Sequence, residues 1–571
     1  MSRRTLAALV LLVAGLLVGA WAVRVATWTP PPLVGLAPDD GYARVSGVVH
    51  VHTERSDGTG TLEEIAAAAR AAALDFVVVT DHDSTDAGVE SGYTDGVLVL
   101  GGTEVSTRAG HVLGVGLRPQ RTFRYSDSAR DALRDVHDLG GVAFAAHPTS
   151  PREDFQWTGS ALPGGWGLEV WNGDSQWRGA TPFQRLRAVA GYPLNTDFAL
   201  QQVLSSPRKA LALWDDLLRA RAVPAVAGSD AHGPLGLGGL VRLPLPSYAA
   251  LFRLARNHIL LEAPLSGDAQ ADLAAVVEGL AAGRAYMSID ALAPAGEFFY
   301  SAELDGARWT MGEIVPFGPG LQLRAGGRLP AAALVSLVRD GQRLAQSSAP
   351  LEWAVTEPGV YRVEVWLPGH DYPWILSNPI YVFDDETAAR RRRQALPPPD
   401  PSALPGDSTI DDFDDGTTFA LAHDASTRAS VRREPASGPD GSASLRMDFA
   451  IGGDESVSPY AALGDRSGRD LSGHSGLVLS IRGDDVYRLW IQVRDGNRAF
   501  EEGTEWWQAS IKVSTDWTRV AVPFDRLRSG AAGSDGHLDL ANVLGVFLIL
   551  DVGGVPPGTI GTIWVSHLGL Y

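Results

Sequence analysis

The sequence contains no cysteine. That absence removes disulfides, thiolate nucleophiles, iron–sulfur clusters and every cysteine-based zinc site, and it leaves the redox compartment undetermined. Positive charge is also short: 48 Lys and Arg stand against 67 Asp and Glu, a formal net charge of -19. This deficit argues against nucleic-acid or anionic-membrane binding through the whole surface. It leaves room for a small phosphate-bearing substrate, because bound metal ions reverse a local field. A serine-hydrolase signature is missing as well. Gly228-Ser229-Asp230 lacks the second Gly of a nucleophile elbow, and no Ser-His-Asp or Cys-His arrangement is persuasive.

What is present is ordinary globular protein. At 571 residues, 45% hydrophobic and 20% charged, the chain has material for roughly 3–4 domains of ~150 residues each. Arg3 and Arg4 precede the uncharged stretch Leu6–Val23, at the lower end of the ~17–25 residues that cross a bilayer. Residues 1–23 therefore read as a signal anchor, or as a signal peptide cut after Val18-Gly19-Ala20, followed by a linker over 24–44. Either way the bulk of the chain is expected outside the cytoplasm: anchored and facing the periplasm or exterior, or secreted if the segment is cleaved.

From Val45 to about residue 295, short apolar runs alternate with amphipathic helical patterns, which predicts an α/β barrel-like layout. Helices are expected over Thr61–Leu74, Ser126–Leu139, Ser206–Ala220 and Asp268–Ala282, the last ended by Gly283. Residues 296–383 alternate in strand fashion between Gly and Pro turns, suggesting a small immunoglobulin-like β-sandwich. A Pro- and Arg-rich linker follows over 384–409, with Arg390–Arg393 as a solvated helix end. Residues 410–571 read as all-β again.

Histidines and carboxylates fall repeatedly at the edges of the apolar runs: His50 and His52, Asp81 and His82, Glu104, His111, His147, and Asp230 with His232. These side chains bind divalent metals, and strand ends are where parallel β/α folds place chemistry. In His50-Val51-His52 an extended backbone would point both imidazoles the same way. Eight of the thirteen histidines precede residue 260, so the set is read jointly as metal-binding. His137 and His258 are read as structural or surface; of the two acids flanking His82, Asp81 is read as orienting the ligands from behind and Asp83 as a turn or cap residue. Arg108, Arg152, Arg178 and Lys209 are candidate anion contacts, and each also reads as a plain surface charge. Trp166, Trp171 and Trp177 wall a pocket or pack a core.

In order, His50-Val51-His52, Ser56-Asp57-Gly58, Thr80-Asp81-His82, Gly102-Thr103-Glu104 and Gly228-Ser229-Asp230-Ala231-His232 resemble the motifs of the PHP (polymerase and histidinol phosphatase) superfamily. Pro373-Trp374-Ile375-Leu376-Ser377-Asn378-Pro379 resembles the carbaryl-hydrolase-like branch of that superfamily. The resemblance implies a distorted (β/α)7 barrel with two or three divalent ions, Zn, Mn or Fe. It implies His50, His52, Glu104 and Asp230 at a first metal. Glu104 would bridge to a second metal with His111 and His147, and Asp57, His82 and His232 would hold a third. Asp81, Glu104 and Asp230 are then the expected catalytic carboxylates. The implied activity is hydrolysis of a phosphoester by a metal-bound hydroxide. Hydrolysis of a carboxylic ester, carbamate or amide on the same metals is the alternative, and a non-catalytic envelope binding protein is another.

The C-terminal segment resembles a carbohydrate-binding jelly roll through Asp411-Asp412-Phe413-Asp414, Leu471-Ser472-Gly473, Trp506-Trp507-Gln508, Trp517-Thr518 and Pro523-Phe524. Trp490, Trp506 and Trp507 either stack on sugar rings or pack the sandwich. The expected partners are thus a small-molecule or phosphoester substrate, a glycan through this domain, and a membrane through the N-terminus if it is uncleaved. No specific nucleic-acid binding is expected.

Overall fold

In the computed structural model, residues 3–571 are described except 85–90, 118–128, 163–164, 234–235, 238–240, 243–245, 395–407, 415, 454–457, 498–502, 530–533, 535 and 553. Half of the expected Pro-rich linker, including its three consecutive prolines, lies outside the described residues. The chain forms two compact units, residues 1–117 with 140–398, and residues 118–139 with 399–571.

Seven strands close a barrel in the first unit: β1 (Ala43–Val51), β2 (Phe76–Val79), β3 (Val97–Thr107), β4 (Gly110–Val115), β5 (Val142–Ala145), β6 (Trp166–Asn172) and β7 (Ala225–Ala231). Each pairs with the next and β7 returns to pair with β1. Neighbours are parallel except around β4, which runs against both β3 and β5. This departs from a regular β/α alternation, and the cause is local. Only Arg108 and Ala109 separate β3 from β4, and Gly110 turns the chain at φ 103. So short a connection can make a hairpin but not a parallel crossover.

Several described helices have ends that follow from their caps or from proline. Thr61 and Glu64 form a capping box at the start of α2 (Leu62–Ala71). Between α1 (Arg3–Ala26) and the later helices, α3 (Ala129–Asp138) belongs to the second unit. Asn172 caps α4 (Gly173–Gly179), and Thr181 caps α5 (Pro182–Gly191). Next come α6 (Thr196–Gln201), α7 (Arg208–Ala220) with Pro207 at its N-cap position, and α8 (Tyr248–Leu254). Asp268 opens α9 (Ala269–Ala282), and Gly283 closes it in the left-handed conformation.

The barrel interior is filled by Val45, Val49, Phe76, Val78, Leu98, Leu100, Leu113, Phe144 and Val226, closed off by Val276 and Leu280 of α9. Outside it, Leu62, Ile65 and Ala69 of α2 and Tyr248 and Phe252 of α8 pack on Val48, Val77 and Val99. With the lower barrel apolar, polar side chains can gather only at the upper strand ends.

Strand pairing continues beyond the barrel through Arg256–Leu261 and Ala285–Ser288 to Pro373–Ser377 and Gly359–Trp366. A second sheet of four strands, Ala307–Thr310, Phe298–Leu304, Gln322–Gly327 and Leu351–Ala354, completes the β region over residues 296–383. Asn378, from the Pro373–Pro379 motif, is buried and binds the backbone of Ala225 and Ala285, holding the foot of β7 in place.

The second unit is a β-sandwich of a six-stranded and a five-stranded sheet. Its core comes from alternate residues of facing strands, including Met447, Leu479, Ile481, Leu489, Ile491, Ile511, Leu548 and Ile563. Within this unit Asp131 and Asp135 of α3 meet the buried guanidinium of Arg526, with Asp135 at 2.9 Å.

Candidate metal centre

His50 and His52 stand at the end of β1 with ring centroids 5.1 Å apart. The strand is not extended there. Its register slips between Val48 and Val51, and His50 adopts φ 66. His147 (φ 29) and Asp230 (φ 50) share this unfavoured region. Three strained residues at one barrel end are held by the surrounding structure, as expected where geometry serves a site.

Glu104 sits at the middle, 1% exposed. One oxygen, Oε1, lies 2.8 Å from His111 Nδ1 and 2.8 Å from His147 Nε2. The other, Oε2, lies 3.0 Å from His50 Nε2, 3.3 Å from His52 Nε2 and 3.5 Å from His82 Nδ1. Asp230 Oδ1 approaches His52 at 3.4 Å and His50 at 3.5 Å. Asp57, half exposed, faces His232 at 3.2 Å and His82 at 3.6 Å through Oδ2, and His52 at 3.5 Å through Oδ1. All nine residues expected as ligands are thereby brought together.

Their donor atoms fall into four overlapping groups, each with its atoms within 4.8 Å of one another: His52, Asp57, His82 and His232; His50, Glu104 and His147; His50, His52 and Asp230; His82, Glu104 and His111. The partition keeps Glu104 shared, as implied, and differs in that His52 also joins the Asp57 group and His82 also joins Glu104 and His111.

Charge is balanced internally. Burial disfavours a charged His50, but Asp230, Glu104 and Glu169 outweigh it and hold its pKa well above the ordinary imidazole value. His52 is pushed up to about 9, burial opposing while Asp230 and Glu104 prevail. Burial would raise Glu104, yet His50, His111 and His147 draw it well below the carboxylate range. Asp230 is drawn well below in the same way, by His50 and His52 against its burial. His232 lowers Asp57 to about 2 against its partial burial. His82 shifts down, chiefly through burial.

The donor set fits divalent cations. Both ring nitrogens of His52, Nδ1 of His82 and Nδ1 of His147 are buried with no hydrogen-bond partner. Leaving a buried polar atom unsatisfied costs about 1–3 kcal/mol each. The three on His52 and His82 face the carboxylates of Asp57 and Glu104, which makes a costly core cluster and a good imidazole–carboxylate cage.

Several residues around the cage carry signals the sequence left unread. Glu169, fully buried, binds His50 Nδ1 at 2.8 Å and accepts from the His147 amide. Asn172 spans from Glu169 (3.0 Å) to Asp230 Oδ2 (2.9 Å) and also caps α4. A Cβ at Gly228 would stand 1.4 Å from Glu169 Oε1, so glycine there makes room for that carboxylate. An acid inside the apolar run Trp166–Trp171 was the available clue. Tyr248 reaches the His52 carbonyl at 2.8 Å and receives the Thr59 and Gly60 amides.

Asp81 stands behind the cage, against the loop that follows β1. Its carboxylate accepts from the Thr53 amide (2.7 Å), the Thr53 hydroxyl (2.8 Å) and Ser56 (2.7 Å), fastening the loop that carries Asp57. Asp83 accepts from the Ser106 amide in a turn. His258 is buried against Asp290 (3.1 Å) and Tyr286, and His137 lies on α3. Of the cations, Arg152 stacks 3.7 Å above Phe155, whose ring lies 4.6 Å from that of His111. Arg178 pairs with Asp174, while Arg108 and Lys209 are exposed. Trp166 and Trp171 are buried, and Trp177 packs on Ala180, Ala188 and Val203, so all three serve packing.

In the second unit the outer face of the five-stranded sheet carries Trp490, Gln492 and Arg494 beside Trp506 and Gln508. Trp506 is 47% exposed, and Arg494 covers it at 4.8 Å and Phe547 at 3.8 Å. Trp507 points inward, buried and bonded to Asp495 at 3.1 Å.

Residues 395–550 match the family Carbohydrate binding domain (family 11). No curated protein matches the chain. Among solved structures, a family 11 carbohydrate-binding module from Clostridium thermocellum, in complex with a beta-1,3-1,4-mixed-linked tetrasaccharide, is 18% identical with a TM-score of 0.25. The match covers 29% of this chain and 96% of that one. A two-domain protein from Bacteroides vulgatus, containing a predicted PHP-like metal-dependent phosphoesterase, is 14% identical with a TM-score of 0.29, covering 62% of this chain and 100% of that one.

Proposed function

We propose that the barrel is a metal-dependent phosphoesterase, held at a membrane by α1 and carrying a glycan-binding module at its C-terminus. One observation carries the enzymatic part: overlapping donor groups share the single carboxylate of Glu104, which divides its two oxygens between different histidines. A shared carboxylate is the arrangement that holds ions close enough to act on one substrate together. His50, His52, Asp230 and Glu104 would hold one ion; Glu104 would also join His111 and His147 at a second; Asp57, His82 and His232 would hold a third. When bound, such ions supply Lewis-acid charge to a phosphoryl oxygen and make water nucleophilic near neutral pH.

The chain's own residues fix the geometry. Glu169 sets the His50 tautomer by taking the Nδ1 proton, leaving Nε2 to face the cage. Asn172 holds Asp230 by its Oδ2 so that Oδ1 faces His50 and His52. Asp81 positions the loop bearing Asp57 and acts through that loop, while Glu104 and Asp230 act as ligands.

α1 is long and apolar enough to cross a membrane, and its apolar window is wholly uncovered by the rest of the chain, which supports an anchor with the folded units exported. The family 11 match and the open face around Trp506 support glycan binding.

The test loads the full chain separately with Mn²⁺ and with Zn²⁺. Phosphate release is followed from a panel of phosphomonoesters and phosphodiesters, with His52→Ala as control. Metal-dependent release, lost in the variant, is the expected result. No release from protein shown to carry metal overturns the phosphoesterase reading. Turnover of carbamates or carboxylic esters instead moves the activity to the carbonyl class suggested by the Pro373–Pro379 segment.

A further inference from the structure

Away from the span, one helix of the first unit gathers exposed apolar side chains. Phe183 (66%), Leu186 (63%) and Val189 (56%) of α5, with Leu194 (42%) just after it, stand open. At about 100° per residue, the three helical positions cover an arc of roughly 120°. Polar residues would be expected on such a face if water covered it.

The end of the span shows what covers it. α1 is exposed from Leu9 to Ala20; Trp21 and Ala22 are then half-buried and Val25 is fully buried. Val25 Cγ1 lies 3.7 Å from where a Cβ would stand on Gly191, at the end of α5. The Trp28 ring lies 5.8 Å from Phe198, and Asn195 donates to the Trp28 carbonyl at 3.0 Å. The last turn of α1 is therefore seated on α5 and α6. With a rise of about 1.5 Å per residue, the point where the apolar span ends lies within about one helical turn of α5. Two basic side chains mark the same level. Arg24 is exposed at the end of α1, and Arg187 sits 5.8 Å over the Phe183 ring, the pairing of aromatic and cation common at the boundary between apolar and wet phases.

We propose that α5 rests on the bilayer that α1 crosses, with Phe183, Leu186, Val189 and Leu194 set into its headgroup–acyl boundary. The first unit is then held at two places, by the span and by this face, and its tilt on the membrane is fixed. In sequence α4 alone separates α5 from Asn172, so the lipid-facing helix adjoins the segment that holds Asp230. The proposal rests on the reading of α1 as a retained anchor.

The absence of cysteine makes the test direct. Single-cysteine full-length chains, Leu186→Cys and, on the exposed side of α7, Asp216→Cys, are labelled with an environment-sensitive dye. They are reconstituted into phosphatidylcholine–phosphatidylglycerol vesicles with brominated acyl chains, and intact mass records whether α1 is present. Roughly twofold bromolipid quenching at 186 with little at 216 is expected for a face buried about 5–10 Å into the interface. Retained α1 with equal, weak quenching at both positions overturns the proposal and leaves the anchor standing. A mass lacking α1 defeats the anchor reading and the proposal together. Disulfide crosslinking of unlabelled 186 between copies, without bromolipid quenching of the labelled chain, assigns the face to a second copy and overturns it as well.

Discussion

The barrel end and the outer face of the five-stranded sheet are the two candidate binding regions, and they are built on opposite plans. At the barrel end the donors are buried, strained and short of hydrogen bonds, with both nitrogens of His52 unsatisfied. On the sheet, Trp506 is open and its neighbours are already engaged: Arg494 bonds Gln492 and Gln492 bonds Gln508. The first region suits a small, highly charged partner. The second is self-sufficient and offers a broad polar and aromatic surface, suited to weak, additive contacts. Cost of ordering is thus concentrated in one site and nearly absent from the other.

The contrast breaks most visibly if Glu104 is dispensable. Glu104→Gln should release most bound metal, measured by elemental analysis, and lower kcat/KM by roughly 10³-fold, about 4 kcal/mol of transition-state stabilisation. Retention of full metal content would show that the donor groups are independent. A smaller effect is expected one layer out. Glu169→Gln should weaken metal binding or activity by about 10–100-fold through a misoriented His50, with the fold's thermal transition nearly unchanged.

Protonation sharpens the comparison further. His52 has a folded pKa of about 9 in the metal-free protein, above its ordinary 6.5. Its contribution to stability is complete below about 6.5 and is lost as pH rises through about 9. The Tm of metal-free protein should therefore fall between pH 7 and 9, while metal-loaded protein should not follow, because the cation replaces the proton. Calorimetry in buffers of different ionisation enthalpy should show proton release on metal binding. The smallest effect belongs to the sheet. Trp506→Ala should weaken binding to immobilised polysaccharide by several-fold, about 1 kcal/mol, and leave hydrolysis of soluble substrate unchanged.

These plans also explain what could be read in advance. Eight of the nine expected ligands lie in or just past barrel strands and Asp57 on the loop after β1, all in short motifs, and a closed barrel of seven strands brings such positions together. Caps made α2 and α9 legible, since Thr61, Asp268 and Gly283 act within a turn of themselves. Reversal of β4 was less so, because the alternation reads as β/α units although Arg108 and Ala109 leave room only for a hairpin. Glu169 and Asn172 escaped because their partners, His50 and Asp230, are distant in sequence. The sheet face escaped more fully. Whether Trp490, Trp506 or Trp507 points outward depends on register with strands up to dozens of residues away, and only pairing of Tyr487–Gly496 with Thr504–Val513 and Val543–Asp551 decides it.

The place of α3 has a consequence for synthesis. Asp135 precedes Arg526, its buried partner, by 391 positions. At about 5–20 residues per second, roughly 20–80 s pass between the appearance of the acid and that of its base on the ribosome. During that interval the helix has left the tunnel between two barrel strands with its ion-pair partner not yet made. A chain stopped at the Pro-rich stretch would keep this helix without Arg526. Cutting there therefore strands a piece of the second unit on the first, and a clean separation of the two has to remove residues 118–139 as well.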